Sequence, residues 1–460
     1  MSTLQTIYNR SPRFLRSLYV NAFGYKRNRD FRTYDRMLKD LAFTETLDRG
    51  QQVELVEGRL KRVLVHAFDN VPYYAKYASL KGDLERRGAF AVLQELPVTS
   101  KEFINRDPEA FLARNRGKCS ISLTSGTTGT PFQIHMTTEA ARLTDALWWR
   151  RTVWAGYEPG DWIARLVGDP VVPLKEKDPG RPWIVSHTDR KIYLSTFHLN
   201  TGTARRIGAM LRRRRPAFLM GYPSSLEILC SYLKDSDFTM DWDLKHVLFS
   251  SEPMHAHQEI LIREVMKAEI RGLFGSGEKI VSAAQCQAGH YHLSIVDGYL
   301  EGQFGILDPV QPAAATTLVN TAMPLIRYQI GDMIEPQPDL RCSCGRTLPI
   351  ISPVITKNED WIITPSGRKI SPSAVVYAFI HQDISDIQKG QVVQETKNLV
   401  RVYLQTDQET FNRYREVLRT SMERVFFGEM AVEVVRTDEI EVSKAGKSRF
   451  VLNKVKLHAS

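Results

Sequence analysis

Short apolar segments alternate with amphipathic helical segments through the middle of the chain. Apolar runs typical of strands occupy residues 162–167, 192–197, 218–221 and 246–249. A helical pattern at residues 139–154 precedes them, and further helical patterns fall between several of them. Because strands that alternate with helices pack into a sheet covered by helices, this order predicts a layered α/β fold through about residue 300.

The pattern changes in the last third of the chain. From Leu293 to Tyr328, short strands with Gly and Pro turns predict a small β-barrel-like subdomain. The last part predicts an α+β unit with helices at 371–381 and 411–426 and strands at 387–393, 399–405 and 432–435. The 460 residues exceed what one hydrophobic core usually supports. We therefore expect an N-terminal domain of residues 1–358 and a small C-terminal domain of residues 359–460.

A loop rich in hydroxyls and glycines runs from Leu123 to Pro131, between two strand patterns. Its glycines let the backbone approach a ligand closely, and successive N–H groups in such turns form a concavity suited to phosphate oxygens. A polar hairpin turn is the plain alternative. The chain contains no Walker, Gly-x-Ser-x-Gly, His-Glu-x-x-His or Gly-x-Gly-x-x-Gly pattern. Phosphate binding in this loop must therefore be of another type.

The net charge of +10 does not indicate nucleic-acid binding. The arginines at 212–215 lie at the end of a predicted helix, where cations complement the helix dipole, and no aromatic residues interleave with them. The basic stretch from Lys26 to Arg36 predicts a surface arm, with weak support for membrane or partner contact. Since no apolar run could span a bilayer and no signal peptide is evident, we expect a cytoplasmic protein.

Cysteine and histidine residues form a second group of interest. Cys342 and Cys344 lie downstream of Cys286, His290 and His292, and thiolate and imidazole groups suit tetrahedral zinc. Cys-x-Cys is tighter than the usual Cys-x2-Cys spacing. From spacing alone, buried or surface cysteines without a metal remain the alternative.

Six motifs in order resemble the adenylate-forming superfamily, and within it the phenylacetate-CoA ligase and CapK-like branch, over nearly the whole chain. The motifs are Leu123 to Pro131, Gly221-Tyr222-Pro223-Ser224-Ser225, Ser250-Ser251-Glu252-Pro253, Phe274-Gly275-Ser276-Gly277-Glu278, Tyr328-Gln329-Ile330-Gly331-Asp332 and Gly446-Lys447. The resemblance implies that the chain activates an aryl or acyl carboxylic acid with ATP as an acyl-adenylate, releasing pyrophosphate. It also implies transfer of the acyl group to CoA, or alternatively to an amine on an amino sugar or amino acid. A homodimer is a possible assembly of the chain.

The same resemblance assigns roles to individual residues. The phosphates of ATP are held by the loop residues Thr124, Ser125, Gly126, Thr127, Thr128 and Gly129. Glu278 binds Mg²⁺, a hard cation that prefers oxygen ligands. Lys447 stabilises charge on the carboxylate and the α-phosphate.

The resemblance also implies further contacts with the nucleotide. Phe274 would pack near adenine, Asp332 would accept hydrogen bonds from ribose hydroxyls, and Glu252 and Gly275 would contribute to the nucleotide site. Tyr222 and Gly275 would line the acid pocket, although Tyr222 fits a core position equally well. Taken singly, Asp332 could be a turn residue, Glu278 a helix-start carboxylate and Lys447 an exposed lysine.

The chain departs from the family at two places. Thr130 stands where the loop normally has lysine, so one phosphate-directed cation is missing. At the hinge, Lys357 replaces an arginine that contacts ribose, and Glu359 is the candidate pivot of the mobile C-terminal domain. These departures leave a non-catalytic nucleotide-binding protein as a rival of another class.

The resemblance also raises the case for zinc, because many members of this branch carry Cys, His and Cys-x-Cys groups at the same places. It implies a closed structural site formed by Cys286, His292, Cys342 and Cys344, with His290 as the rival ligand.

Overall fold

The structure is a computed structural model of the chain. It describes residues 8, 11–124, 132–167, 171–173, 176, 179–309, 312–354, 361–370, 375, 379, 387, 389–441 and 450–455. For residues 26–33, 123–124, 353–354, 369 and 389 it describes the backbone alone.

Helices form most of the N-terminal part. They are α1 (Arg13–Thr44), α2 (Arg49–Asn70), α3 (Lys81–Arg86), α4 (Ala89–Gln94) and α5 (Lys101–Ile104), with 3-10 helices at Pro72–Leu80 and Pro108–Phe111. Helix α2 begins at a capping box, in which Asp48 and Gln51 exchange side-chain and backbone hydrogen bonds of 2.9 Å. It ends before Pro72, because proline cannot continue the ladder of backbone hydrogen bonds.

A hairpin and a long helix follow. Strands β1 (Ser120–Thr124) and β2 (Phe132–Met136) pair antiparallel, with Thr124 opposite Phe132. Alternate residues of β2 are buried, as a strand with one face on the core requires. Helix α6 (Thr138–Trp154) begins where the Thr137 hydroxyl accepts from the Ala140 N–H at 3.1 Å. The helix predicted at 139–154 is therefore confirmed.

Among the described residues, a ten-stranded mixed sheet is the centre of the fold. Its strands are β3 (Ile163–Leu166), β4 (Trp183–Ser186), β5 (Lys191–Leu194), β6 (Phe218–Gly221), β7 (His246–Ser250), β8 (Glu269–Gly275), β9 (Ser282–Gln285), β10 (Tyr291–Leu293), β14 (Met333–Gln337) and β15 (Ile350–Val354). The order is β14-β15-β10-β9-β8-β7-β6-β3-β5-β4. Strands β5, β3, β6, β7 and β8 run parallel, and the other neighbours are antiparallel.

Helices connect the parallel strands, as the alternation in the sequence predicts. A 3-10 helix (Thr196–His198) and α7 (Thr201–Arg214) lie between β5 and β6, α8 (Pro223–Lys234) between β6 and β7, and α9 (Ala256–Met266) between β7 and β8. One apolar cluster joins these helices to one part of the sheet. A second cluster joins α2, α4 and α6 to β2 and to the strands after β8. The predicted layered α/β fold is confirmed.

Smaller sheets complete the fold. Strands β11 (Gly298–Leu300), β12 (Ala314–Thr317) and β13 (Tyr328–Gln329) form a three-stranded antiparallel sheet in the region predicted to be rich in short strands. Strands β16 (Ile362–Ile363) and β17 (Lys369–Ile370) form a two-stranded sheet.

The C-terminal part has its own sheet, helix and core. Strands β18 (Lys389–Thr396), β19 (Leu399–Gln405), β20 (Ala431–Thr437) and β21 (Val451–Asn453) form a sheet in the order β20-β19-β18-β21, and α10 (Gln408–Val425) packs on it. The predicted α+β character is confirmed, but most of the helix predicted at 371–381 and the proposed boundary at 357–360 lie outside the described residues. In the part of the chain that the structure describes, no helix is long and apolar enough to cross a membrane.

Candidate active site and candidate metal centre

Tyr328 connects the base of the hydroxyl-rich loop to Glu278. The loop residues 125–131 are outside the described part of the chain, but Thr124 and Phe132 pair across its base. The Phe132 ring stacks on Tyr328, with centroids 5.9 Å apart and planes 6° apart. The Tyr328 hydroxyl donates to Glu278 Oε1 at 2.9 Å. A stacked ring pair and one hydrogen bond therefore connect the loop base to the predicted Mg²⁺ ligand.

A tight turn after β8 holds Glu278. The Ser276 hydroxyl accepts from the N–H groups of Ile280 and Val281 at 3.2 and 3.3 Å, and Ser276 N–H donates to the Val281 carbonyl at 3.0 Å. Burial raises the pKa of Glu278, and the charge of Asp332 raises it further, while Tyr328 and Lys101 oppose the increase. A carboxylate in this position gains from a bound cation, because the cation offsets both the lost hydration and the repulsion from Asp332.

Lys101 belongs to the same cluster and was not predicted. Thr99 forms a parallel bridge to Tyr328, with Thr99 N–H donating to the Arg327 carbonyl and Gln329 N–H to the Thr99 carbonyl, both at 2.9 Å. This bridge brings the start of α5 to Glu278. Lys101 is 8% exposed, and its Nζ has no hydrogen-bond acceptor among the described residues.

Burial of the charged Lys101 side chain therefore lowers the stability of the folded protein. Burial lowers the pKa of Lys101 to about 8, against an upward effect from Glu278 and Glu102. No local pattern in the sequence marks Lys101, because its approach to Glu278 depends on the bridge between Thr99 and Tyr328.

Other residues predicted to contact the nucleotide or the acid lie at the carboxyl ends of neighbouring parallel strands. Tyr222 follows β6, Glu252 lies just beyond β7, and Phe274 and Gly275 end β8. In open α/β sheets, ligands bind at this edge.

Tyr222, Glu252 and Asp332 differ in their burial and in their hydrogen-bond partners. Tyr222 is half-buried at the start of α8. Both carboxylate oxygens of Glu252 accept from Ser224, at 3.0 Å from its N–H and 3.0 Å from its hydroxyl. Glu252 therefore connects the end of β7 to the first turn of α8, and its direct contact with nucleotide stays a prediction. Asp332 is half-buried and follows Gly331, whose φ of 77° allows the turn.

The remaining predicted site residues cannot be placed. Lys447, Lys357 and Glu359 lie outside the described residues, as do Ser125, Gly126, Thr127, Thr128 and Gly129, and of Thr124 only the backbone is described.

The four predicted zinc ligands converge at one end of β9 and β10. Cys286 follows β9, His292 is in β10, and Cys342 and Cys344 come from the segment between β14 and β15. Their donor atoms all lie within 4.8 Å of one another. Cys286 Sγ and Cys342 Sγ are 3.6 Å apart, and Cys344 Sγ is 3.3 Å from His292 Nε2.

These distances fit a tetrahedral metal. With Zn–S near 2.3 Å and Zn–N near 2.0 Å, tetrahedral geometry places two sulfur ligands about 3.8 Å apart and a sulfur and a nitrogen about 3.5 Å apart. His292 Nδ1 is 3.2 Å from the Leu348 carbonyl, so the tautomer that donates from Nδ1 leaves Nε2 available to a metal. Burial lowers the pKa of His292 to about 4, which keeps the imidazole neutral. His290 Nδ1 lies 3.2 Å from Cys342 Sγ, beside the four-residue group.

Groups around this cluster connect it to α1 and α6. Arg346 Nε donates to Glu45 Oε2 at 3.1 Å, and Trp154 Nε1 donates to Glu45 Oε1 at 3.0 Å. The Arg346 guanidinium also lies 4.0 Å from the Trp154 ring centroid, and the Trp154 ring meets His292 edge-on at 6.0 Å. A metal bound here would link β9, β10 and the segment between β14 and β15, next to the ends of α1 and α6.

Known proteins resemble this chain in sequence and in fold. Residues 362–454 match the CapK C-terminal domain family. The chain is 20% identical to Protein CapK of Staphylococcus aureus, over 98% of this chain and 100% of that protein. It is 23% identical to the phenylacetate-coenzyme A ligase of Thermus thermophilus, over 72% of this chain and 76% of that protein.

Among solved structures, similar folds occur in complexes of 2-hydroxyisobutyryl-CoA ligase. The complex with 2-HIB-AMP and CoA in the thioesterification state has a TM-score of 0.57 at 19% identity, covering 89% of this chain and 91% of that chain. The postadenylation complex with 2-HIB-AMP has a TM-score of 0.54 at 18% identity, with the same coverage.

Proposed function

We propose that this chain is an ATP-dependent acid ligase. It is similar to CapK and to phenylacetate-CoA ligase, and its residues 362–454 match the CapK C-terminal domain family. It would convert a carboxylic acid to an acyl-adenylate and pyrophosphate, and then transfer the acyl group to CoA. The observation that carries the proposal is the cluster of Glu278, Tyr328 and Lys101 beside the base of the hydroxyl-rich loop. Opposite charges and a candidate Mg²⁺ ligand lie there, next to the two strands that lead into and out of the candidate phosphate loop.

The first step needs little acid–base chemistry from the protein. A carboxylic acid is already ionised at neutral pH, so its oxygen can attack the α-phosphorus directly. The bond from the α-phosphorus to the bridging oxygen breaks, and pyrophosphate leaves with the electron pair. Mg²⁺ bound through Glu278 would neutralise phosphate charge, and Lys447 would stabilise the negative charge shared by the carboxylate and the α-phosphate.

Lys101 is the proposed replacement for the cation missing at Thr130. Its side chain is buried, its Nζ has no acceptor among the described residues, and it lies near Glu278. An ATP phosphate would supply the absent acceptor and would offset the cost of burying the charged lysine. The loop would then contribute hydroxyls and backbone N–H groups, with Lys101 providing the point charge from a different segment of the chain.

The two-domain arrangement belongs to the proposal as well. Residues 359–460 would turn about Glu359 between adenylation, with Lys447 at the phosphate, and acyl transfer. The described C-terminal residues contact helices α8 and α9, where Arg368 Nη2 donates to the Tyr232 hydroxyl at 2.9 Å and Trp361 meets His255 edge-on with centroids 5.2 Å apart. Apolar packing of Phe427 and Phe197 adds to this interface, and a reorientation would have to break it.

A structural zinc ion is the proposed occupant of the Cys286, His292, Cys342 and Cys344 cluster. Thiolates and a neutral imidazole are ligands that zinc prefers, and all four positions are filled by the protein, as in closed structural sites. The cluster connects the sheet to α1 and α6 and lies apart from the groups proposed for ATP, so we assign it to stability.

The proposal is tested by supplying ATP, Mg²⁺ and a broad panel of aryl and acyl acids. Acid-dependent exchange of labelled pyrophosphate into ATP is expected for the cognate acid, and an acyl-CoA should appear by mass spectrometry when CoA is added. An acyl-amide formed with amino sugars or amino acids, and no thioester, would replace CoA by an amine as acceptor. ATP binding without exchange for any acid would overturn the ligase assignment and favour a non-catalytic nucleotide-binding protein.

A further inference from the structure

Helix α1 is docked on the protein through apolar and polar contacts, with Val20 packed against a buried cluster that includes Ile184 and Tyr193. Asn21 donates to the Val185 carbonyl at 3.2 Å and accepts from the His187 N–H at 2.8 Å, and the Thr188 hydroxyl donates to the Asn21 carbonyl at 2.7 Å. Gly24 lies so close to Thr188 that an added Cβ would be 2.3 Å from its hydroxyl oxygen. These contacts fix the rotation of the helix about its axis.

The outward side of the same helix is apolar. Phe14, Leu18 and Tyr25 are 65%, 67% and 68% exposed. At 100° per residue these three fall within about 40° of one another, with Leu15 and Ala22 continuing the stripe. A contiguous apolar stripe on the exposed side of a docked helix marks an interaction surface.

A basic groove runs beside this stripe, where α1 meets β4 and the end of α7. It has a volume of about 600 Å³ and is lined by Arg13, Arg181, His187, Arg206, Arg213 and Arg214 together with small and apolar side chains. In the part of the chain that the structure describes, no aspartate or glutamate lines it. Arg13 and Ser17 line the groove from the helix side next to Phe14, so the cations and the apolar stripe border each other.

The helix dipole explains only some of the arginines that line the groove. The helix dipole of α7 accounts for basic residues in its last turn, Arg213 and Arg214. Arg13 and Arg181 come from other segments, and their mutual repulsion together with burial lowers the pKa of Arg13. Such a concentration of cations favours an anionic partner, and the adjoining apolar stripe favours one that also has an apolar interior.

We infer that this face docks on the surface of an anionic phospholipid membrane. Lipid phosphates would occupy the arginine groove, and Phe14, Leu18 and Tyr25 would enter the boundary between head groups and acyl chains, as amphipathic helices do at interfaces. The sequence continues the helix with Lys26, Arg27, Arg29 and Arg32 against the single acidic residue Asp30, which adds net positive charge to the same element. Neither the groove nor the stripe includes a group proposed for ATP or zinc, so docking is independent of the ligase chemistry.

Vesicle co-sedimentation with the full chain tests the inference. Wild type should bind vesicles of phosphatidylcholine with about 30% phosphatidylglycerol, should not bind pure phosphatidylcholine vesicles, and should be released by about 0.5 M NaCl, since salt screens this attraction. Arg181→Gln/Arg213→Gln should lower the partition coefficient roughly thirtyfold, from the loss of two cations near an anionic surface. Phe14→Ser/Leu18→Ser should lower it at least about tenfold.

Matched controls keep the test specific. Phe43→Ser changes an equally exposed aromatic, 65% exposed, near the other end of α1, and Arg413→Gln/Arg415→Gln removes two exposed cations from α10; both variants should bind like wild type. Circular dichroism should show that every variant is folded.

Equal binding to neutral and anionic vesicles, or no binding to either, would overturn the inference. A dimer detected by light scattering and dissociated by Phe14→Ser/Leu18→Ser would also overturn it, because a second copy of the chain would then cover the stripe. Retention of wild type on duplex DNA but not on vesicles would overturn it as well.

Discussion

Replacing Lys101 by methionine is expected to stabilise the free protein and to impair its chemistry. The two side chains have similar length, but methionine carries no charge into the buried position. A pKa of about 8 in the folded chain, against an ordinary value of 10.5, corresponds to about 3 kcal/mol that the folded state loses when the lysine is charged. Lys101→Met should recover up to about that amount at pH 7.

The pH dependence has a definite sign. The folded state binds the Lys101 proton less tightly than the unfolded state, so its penalty is complete below about pH 8 and disappears as the pH rises toward 10.5. The advantage of Lys101→Met in urea denaturation should therefore be largest at pH 7 and should shrink between pH 8 and pH 10. Lys118→Met, which changes an exposed lysine, should give no such difference.

The effect on function has the opposite direction. If Lys101 meets an ATP phosphate, Lys101→Met should reduce pyrophosphate exchange by about a hundredfold, the size expected for one lost electrostatic contact in the transition state. Saturating ATP should also stabilise wild type more than the variant. A variant that is less stable than wild type at pH 7 and exchanges pyrophosphate normally would refute the reasoning, because Lys101 would then be an ordinary structural lysine.

Further predictions concern the metal centre and the two residues proposed for catalysis. Wild type should contain about one equivalent of zinc by elemental analysis, and Cys344→Ser should lower both the zinc content and the melting temperature, whereas Cys119→Ser should keep its metal. Glu278→Gln should raise the Mg²⁺ concentration needed for half-maximal exchange and reduce the rate about a hundredfold in a folded protein; an unchanged Mg²⁺ profile would remove Glu278 from the metal site. Lys447→Ala should abolish adenylation while calorimetry still detects ATP binding, and exchange at the wild-type rate would refute its assigned role.

Regular elements were predictable where local pattern alone determines them. The strand at Phe218–Gly221 and the strand at Leu399–Gln405 match their predicted bounds, because an apolar run and a strict alternation each specify a strand without outside help. Val451–Asn453 was not predicted. Three residues carry no usable period, and this strand exists because β18 offers it a parallel partner.

The candidate site was predictable where residues form motifs and not where the fold brings distant segments together. The resemblance drawn from six motifs is confirmed by the CapK and phenylacetate-CoA ligase relatives. Lys101 was missed because its proximity to Glu278 depends on the bridge between Thr99 and Tyr328, which no local pattern encodes. The approach of the His292 imidazole to the three cysteines also depends on the fold, and the preference for His292 over His290 as a zinc ligand stays a prediction.

The fate of the carboxylate oxygen distinguishes acyl-adenylate formation from activation through an acyl phosphate and ADP. The cognate acid, identified from the panel and labelled with ¹⁸O in its carboxylate, is incubated with ATP, Mg²⁺ and CoA, and the products are analysed by mass spectrometry. Because the carboxylate oxygen that attacks the α-phosphorus stays on that phosphorus when the acyl group leaves, the account predicts AMP that carries one ¹⁸O atom. Label in inorganic phosphate together with ADP, or AMP without label, would contradict it.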